Sequence, residues 1–217
     1  MEIHQLVYVE WLSQEREKYI WQDVYEHSWD EIIGRVYLLK AHESVEQSRY
    51  QDALADFEQA LLLLAKDGVR RSYYAHALAD KALAQCFLAQ YDAALATIDQ
   101  ALAVADEPHG WNDWNDCDRD LMRNNRCAIL VLAGAFSEAL NMLCAELEQD
   151  PENSYHSYLR FTLATCLLQL ERYHEAVVAY EQAVAEESWL KVDAGLTVAL
   201  TAARQGQQPD WANLSSN

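Results

Sequence analysis

The stretch RYQDALADFEQAL at residues 49–61 sets the pattern on which the fold of this chain depends. Its aromatic residue Tyr50 is followed by Ala53, Phe57 and Ala60 at intervals of three, four and three residues. This spacing places all four side chains on one stripe of an α-helix. The two alanines on the stripe leave room for a neighbouring helix to approach closely. The stretch therefore predicts a helix whose buried face packs against another helix.

The same pattern recurs three more times along the chain. The matching stretches are QYDAALATIDQAL at 90–102, AFSEALNMLCAEL at 135–147 and RYHEAVVAYEQAV at 172–184. The last small position fails once, at Glu146. Nine residues before each aromatic lies another small residue on a preceding helical stretch: Ala41, Ala82, Cys127 and Ala164. We expect each unit to consist of two antiparallel helices that meet at these small residues.

This recurrence resembles the tetratricopeptide repeat, which has a small residue in its first helix, an aromatic at the turn, and alanine, aromatic and alanine along its second helix. The resemblance covers about residues 34–187. The turn aromatics are 41, 45 and 37 residues apart, whereas the family repeat has roughly 34 residues. The copies are thus degenerate. The resemblance implies an all-α fold of antiparallel hairpins stacked as a right-handed solenoid, with extra capping helices at both ends.

The low content of helix-breaking residues favours one continuous domain. Six glycines and three prolines in 217 residues leave no long linker. We predict a single domain over 1–204 and a flexible tail at 205–217. Its parts are N-terminal helices at 1–28, repeat units at about 29–66, 71–106, 118–149 and 155–187, and a capping helix at 189–204.

Aromatic residues mark the N-terminal flank of the repeats. Trp21, Tyr25 and Trp29 recur at i, i+4 and i+8. We expect such a stripe to pack in the core, and the alternative is a ligand surface. The tetrapeptide SWDE, from Ser28 to Glu31, matches a capping box that starts the next helix.

The net charge limits the partners to expect. The chain has 35 acidic and 16 basic residues, a formal charge of −19 that is spread along its length. A field of this sign repels phosphate backbones and anionic lipid and attracts basic partners. The N-terminus has no signal-peptide pattern, and no stretch of about 18 apolar residues predicts a membrane span. Five cysteines without a CxxC pair fit reduced thiols. We therefore expect a cytoplasmic protein that binds neither nucleic acid nor membrane.

The sequence contains no recognised catalytic or cofactor motif. The glycines and histidines fall singly, and neither GxSxG nor HExxH is present. We predict no catalytic residues, no metal and no cofactor. The strongest metal candidate is HGWNDWNDCDRD at 109–120, whose Asp116, Asp118 and Asp120 resemble the start of a calcium loop. The pattern fails at Leu121 and Cys127, so we interpret the aspartates as capping the helix that starts near residue 118.

Two features near this stretch can each be interpreted in two ways. Trp111 and Trp114 either fill the junction between units or contact a partner. Arg119, Arg123 and Arg126 recur at i, i+4 and i+7 on the following helix. We favour internal ion pairs for this stripe, and the alternative is an anchor for an anion or peptide carboxylate.

The resemblance implies that a peptide or protein segment binds along a concave surface lined by the first helices of the units. We predict a non-enzymatic protein–protein interaction module whose partner is a protein or peptide, with oligomeric state open. The acidic charge favours a chaperone or an immunity-type inhibitor of a basic effector or toxin. The alternative is a repeat scaffold with a ligand or enzymatic site near residues 109–126. The predicted partner-binding residues are Arg35, His42, His76, Asp80, Asn124, Asn125, Tyr158, Phe161, Trp111, Trp114 and Arg123.

Overall fold

The computed structural model describes residues 28–66, 69–107, 118–149 and 155–186, together with Thr201 and Gln205. Apart from Ser28 and these two residues, the predicted N-terminal helices at 1–28, the capping helix at 189–204 and the tail at 205–217 lie outside the described residues. The described ranges hold eight α-helices and no strand, which confirms the all-α prediction. They contain no helix with both the length and the apolar character needed to cross a membrane. The helices are α1 Trp29–Glu46, α2 Tyr50–Leu64, α3 Arg71–Phe87, α4 Tyr91–Asp106, α5 Arg119–Leu132, α6 Phe136–Gln149, α7 His156–Gln169 and α8 Tyr173–Glu186.

Helices that follow one another in the sequence pack together. The pairs α1–α2, α3–α4 and α7–α8 form hairpins, and α2 also packs on α3 as α6 does on α7. The chain divides into two compact units, Glu2–Ile129 and Leu130–Asn217. The first unit contains α1 to α4 with most of α5, and the second contains the remaining described helices. The organisation of 1–204 as one domain stays a prediction.

Burial confirms the repeated stripe of small and apolar residues. The four small residues of the first helices, Ala41, Ala82, Cys127 and Ala164, have no exposed surface. The stripe residues of the second helices are also buried: Ala53, Phe57, Ala60, Ala94, Ile98, Ala101, Ala139, Leu143, Ala176, Tyr180 and Ala183. Glu146, the one exception in the sequence pattern, is half-buried. The pattern therefore identified the packing face of each hairpin correctly.

The turn inside each hairpin has the same backbone conformation in all four copies. Two residues before each turn aromatic, φ is positive: 58° at Ser48, 57° at Ala89, 77° at Gly134 and 59° at Glu171. In each copy the next N–H donates to the carbonyl five residues earlier, as from Arg49 to Ser44 at 2.7 Å and from Gln90 to Gln85 at 2.9 Å. This is the Schellman arrangement that ends a helix. A single turn geometry repeated four times supports one repeated structural unit.

The first hairpin has a glycine, Gly34, where α1 faces the buried Leu64 of α2. A Cβ atom added to Gly34 would lie 2.8 Å from Cδ2 of Leu64, which is fully buried. Any larger residue would therefore push α1 away from α2.

The start of α1 corrects one prediction about the flanking aromatics. Ser28 has extended backbone, and its Oγ accepts a hydrogen bond from the N–H of Glu31 at 3.2 Å. Trp29 is thus the first residue of a new helix, and it is 78% exposed. The prediction of one continuous stripe that buries Trp29 was wrong, because the extended backbone of Ser28 interrupts the helix before Trp29 and the described residues leave this side chain exposed. Trp21 and Tyr25 lie outside the described residues.

Candidate functional site

Two of the predicted partner-binding residues contact each other. Nε2 of His42 on α1 lies 2.9 Å from Oδ2 of Asp80 on α3. The His42 side chain is 19% exposed and that of Asp80 8%. The edge of the imidazole also packs against Phe57, with ring centroids 5.8 Å apart. The pair joins the first helices of two successive hairpins and leaves mainly the histidine accessible to a partner.

His76 contacts the start of the next first helix. Its Nε2 accepts a hydrogen bond from the backbone N–H of Asp118 at 3.3 Å. Oδ1 of Asp118 in turn accepts from the N–H of Leu121 at 2.9 Å. This side-chain bond caps α5, so the capping role predicted for Asp118 is confirmed. An accepting Nε2 places the proton of a neutral imidazole on Nδ1.

Arg35 lies in a cluster of charged and aromatic side chains between α1 and α3. Its guanidinium carbon is 5.0 Å from the ring centre of Tyr73, and that of Arg70 is 4.8 Å from the same ring. Nη2 of Arg70 donates to the Tyr73 hydroxyl at 3.0 Å and to Oε1 of the buried Glu31 at 3.2 Å. Cation–π contacts and a charged hydrogen bond thus hold the tyrosine that supports Arg35. Sequence reasoning missed Glu31, Arg70 and Tyr73.

Other predicted binding residues lie in the interior. Asn124 and Asn125 on α5 are 7% and 8% exposed, and Phe161 on α7 is 3% exposed. Oδ1 of Asn124 accepts no hydrogen bond from the described residues. In the second unit, the ring of Phe161 packs 6.3 Å from that of Tyr180, whereas Tyr158 is half-buried. Asn124, Asn125 and Phe161 therefore expose little surface for direct contact with a partner.

Two arginines of the α5 stripe, Arg119 and Arg126, contact α4. Both Nε and Nη2 of Arg119 donate to the carbonyl of Ala105, with Nε at 2.8 Å. Nε of Arg126 donates to Oδ1 of Asp99 at 2.7 Å. These contacts support the interpretation of internal pairing for Arg119 and Arg126, and Arg123 is half-buried.

The described residues form no cluster suited to metal binding, and burial suppresses the ionisation of two thiols. No three His, Cys, Asp or Glu side chains within the described ranges could hold a metal ion together. Burial raises the pKa of the Cys86 thiol to about 12. The pKa of Cys166 rises to about 11, mainly through burial and then through the nearby Cys144. Raised values disfavour the thiolate, which is the reactive form.

The alternative site near residues 109–126 falls largely outside the described residues. Trp111, Trp114 and Asp116 belong to the range 108–117, which the structure does not describe. The described part of this site runs from Asp118 to Arg126. In it, Asp118 caps α5, and Arg119 and Arg126 bond to residues of α4. The enzymatic alternative therefore stays a prediction without a described active site.

Comparison with known proteins does not place this chain in a family. No protein-family model matches it, and no curated protein matches it either. The function must therefore be inferred from the contacts, burial and charges of the chain itself.

Proposed function

We propose that this chain is a tetratricopeptide-like helical repeat protein that binds an extended segment of a partner protein without catalysis. The segment lies along the first helices of the hairpins, where the family resemblance places the binding surface. The repeated Schellman turns and the buried small residues at equivalent positions support the repeat assignment. A stacked solenoid with a concave face is part of this proposal.

One observation carries the proposal. Arg35, His42 and His76 are partly exposed side chains, and each contacts a residue of the hairpin that follows its own. Arg35 and His42 are seven residues apart on α1 and so share one helix face. Arg35 and His76 have the same register, six residues before the buried Ala41 and Ala82. An extended partner segment that runs across α1 and α3 would meet side chains at equivalent positions of the two helices.

The way in which these side chains are held favours binding. His42 is tied to Asp80, His76 to the backbone of Asp118, and Arg35 to the ring of Tyr73. Side chains that are already ordered lose little rotamer freedom when a partner binds. The arrangement therefore suits recognition by a preformed surface.

The charge suggests the kind of partner. A formal charge of −19 would speed the encounter with a basic protein and would penalise acidic competitors. A dedicated chaperone, or an immunity-type inhibitor that covers a basic effector or toxin, would use such a surface. We propose a basic partner on this ground.

The test replaces the accessible side chains while keeping their internal hydrogen bonds. His42→Gln retains a donor for Asp80 and His76→Gln retains an acceptor for the N–H of Asp118, and both are combined with Arg35→Ala. Partners are captured from cells of the source organism, and the site of contact is mapped by cross-linking and mass spectrometry. We expect the triple variant to lose about tenfold or more in affinity for the captured partner.

A matched variant separates binding from folding. Gln59→Ala with Gln100→Ala changes exposed positions on the second helices α2 and α4, and it should bind as the unchanged protein does. Circular dichroism must show that both variants stay helical. If the triple variant binds normally, the first helices are not the binding surface. If affinity is equal at about 50 and 500 mM salt, the basic partner is excluded even where the surface is correct.

A further inference from the structure

The first helix carries an apolar surface that is open to solvent. Trp29, Ile33 and Val36 follow one another at i, i+4 and i+7 on α1 and are 78%, 43% and 49% exposed. Residues at this spacing lie on one face of a helix. We refer to these three side chains as the α1 surface.

The corresponding residues of the later copies are buried. Val36 lies five residues before the small residue of its helix, as Ala77, Met122 and Leu159 do in theirs. These three are 0%, 1% and 1% exposed. In the hairpins of α3 and α7 the preceding second helix, α2 or α6, packs against the first helix. The register therefore predicts a covering segment for α1 as well.

The covered area is restricted to the first two turns of α1. Two residues after the small residue, the later copies have the buried Ala84, Ile129 and Cys166, whereas α1 has the exposed Glu43. The exposed Lys40 also lies beyond Val36. From Trp29 to Val36 the surface is about 10 Å long at 1.5 Å per residue. A short apolar segment is enough to cover it.

We propose that residues 1–27 of this chain dock on the α1 surface, in the position that a preceding second helix takes in the later copies. The segment ends immediately before Ser28, the residue that caps α1, so it is joined directly to the helix that carries the surface. Ile20, Trp21, Val24 and Tyr25 supply apolar side chains close to this junction. As a helix, 27 residues would extend about 40 Å, far more than the surface requires.

A second copy of the chain fits this surface less well. Stable protein–protein interfaces bury about 1,200–2,000 Å² in total, and three side chains bordered by Lys40 and Glu43 offer much less. A covalently joined segment needs no such area, because its local concentration is high. The short, one-sided apolar surface therefore favours a segment of the same chain.

Hydrogen exchange of the whole 217-residue chain, measured by mass spectrometry, tests this docking. We expect peptides from residues 1–27 to be protected in the unchanged protein and to lose about tenfold in protection in Val36→Asp. Val178→Asp is the matched control, since Val178 on α8 is 43% exposed and lies in the other unit. It should leave residues 1–27 protected. Unprotected amides in the unchanged protein, or equal protection in Val36→Asp, would overturn the proposal.

Two further measurements distinguish a docked segment from a dimer contact and from a loss of folding. Light scattering should give the mass of one chain, 24.8 kDa, and a dimer that dissociates in Val36→Asp would assign the surface to a second copy and overturn the proposal. Protection of α3 and α4 must be unchanged, which shows that the variant is folded. If Val36→Asp loses protection in α1 itself, Ile33→Ser repeats the test with a milder change. Unaltered protection of residues 1–27 in that variant, with α1 intact, also overturns the proposal.

Discussion

Glu31 and Arg70 form an ion pair between the first and second hairpins, with Oε1 of the carboxylate 3.2 Å from Nη2 of the guanidinium. The side chain of Glu31 is 2% exposed and that of Arg70 28%. The backbone N–H of Arg70 donates to the other oxygen, Oε2, at 3.3 Å. Both carboxylate oxygens therefore have donors from one residue. The pair fixes the start of α1 next to the residue that precedes α3.

Removing either partner of this pair should have unequal effects on stability. Arg70→Ala removes the guanidinium charge next to a buried carboxylate, and we expect the free energy of unfolding to fall by about 3 kcal/mol. Glu31→Gln keeps an acceptor for the N–H of Arg70, and the partly exposed guanidinium can turn to water, so the loss should be about 1 kcal/mol. Urea unfolding measures both.

The surface pair of Lys66 and Asp30 provides the control for this measurement. Its side chains are 51% and 40% exposed, and Lys66→Ala should cost less than about 1 kcal/mol because water screens the charges. If Arg70→Ala costs no more than Lys66→Ala, the buried pair does not stabilise the fold as argued.

The turns between paired helices predict opposite effects of exchanging alanine and glycine. Ala89 and Gly134 occupy the same turn position with φ of 57° and 77°, a region that L side chains occupy at a cost of about 1–2 kcal/mol. Ala89→Gly should therefore stabilise the protein by about 1 kcal/mol, after the added flexibility of the unfolded chain is subtracted. Gly134→Ala should destabilise it by a similar amount, and since no atom lies within 4 Å of an added Cβ, the effect is one of backbone alone. Thermal unfolding measures the change in melting temperature of each variant. Changes of the same sign in both would disprove this explanation.

Packing within hairpins was predictable from the sequence, whereas contacts between hairpins were not. Ala53, Phe57 and Ala60 are close in sequence, so their helical period reveals their common buried face. Glu31 matched a capping box by spacing, and nothing local indicated a partner 39 residues away at Arg70.

The conformation of the turns and the burial of interior polar residues were also not predictable from the local sequence. Ser48, Ala89 and Glu171 adopt positive φ, a conformation for which sequence rules favour glycine, and Gly134 alone fits those rules. Asn124 and Asn125 have the register of the proposed binding surface, but the packing around α5 buries them. Burial of this kind depends on how neighbouring helices approach and has no signature in residue type.

The small residues at the helix crossings should resist enlargement. Ala82 has no exposed surface in the centre of α3, and Ala82→Leu should lower the free energy of unfolding by about 1–3 kcal/mol because the added carbons have no space. Ala96 on α4 is exposed, so Ala96→Leu makes the same chemical change and should alter stability by less than about 0.5 kcal/mol. Denaturant unfolding compares the two, and equal losses would mean that Ala82 does not set the distance between helices.

Reactivity of the thiols should follow their burial. Since burial raises the pKa of Cys86 to about 12, only about one thiol in ten thousand is ionised at pH 8. Cys166, with a pKa of about 11, is also buried and donates to the carbonyl of Phe136 at 3.3 Å, whereas Cys144 is exposed. Iodoacetamide at pH 8, followed by peptide mass spectrometry, should therefore modify Cys144 at least about 100-fold faster than Cys86 or Cys166.

The same thiols predict how stability changes at high pH. The folded pKa of Cys86 lies above its ordinary value of 9.0, so the folded protein retains a proton that the unfolded chain releases. The stabilisation that results is fully present below about pH 8.5 and is lost progressively as the pH rises from 9 toward 12. Cys86→Ala should flatten this decline in urea unfolding. If Cys86→Ala does not alter the decline, the burial of this thiol is contradicted. The same holds if iodoacetamide labels Cys86 as fast as Cys144 in the folded protein.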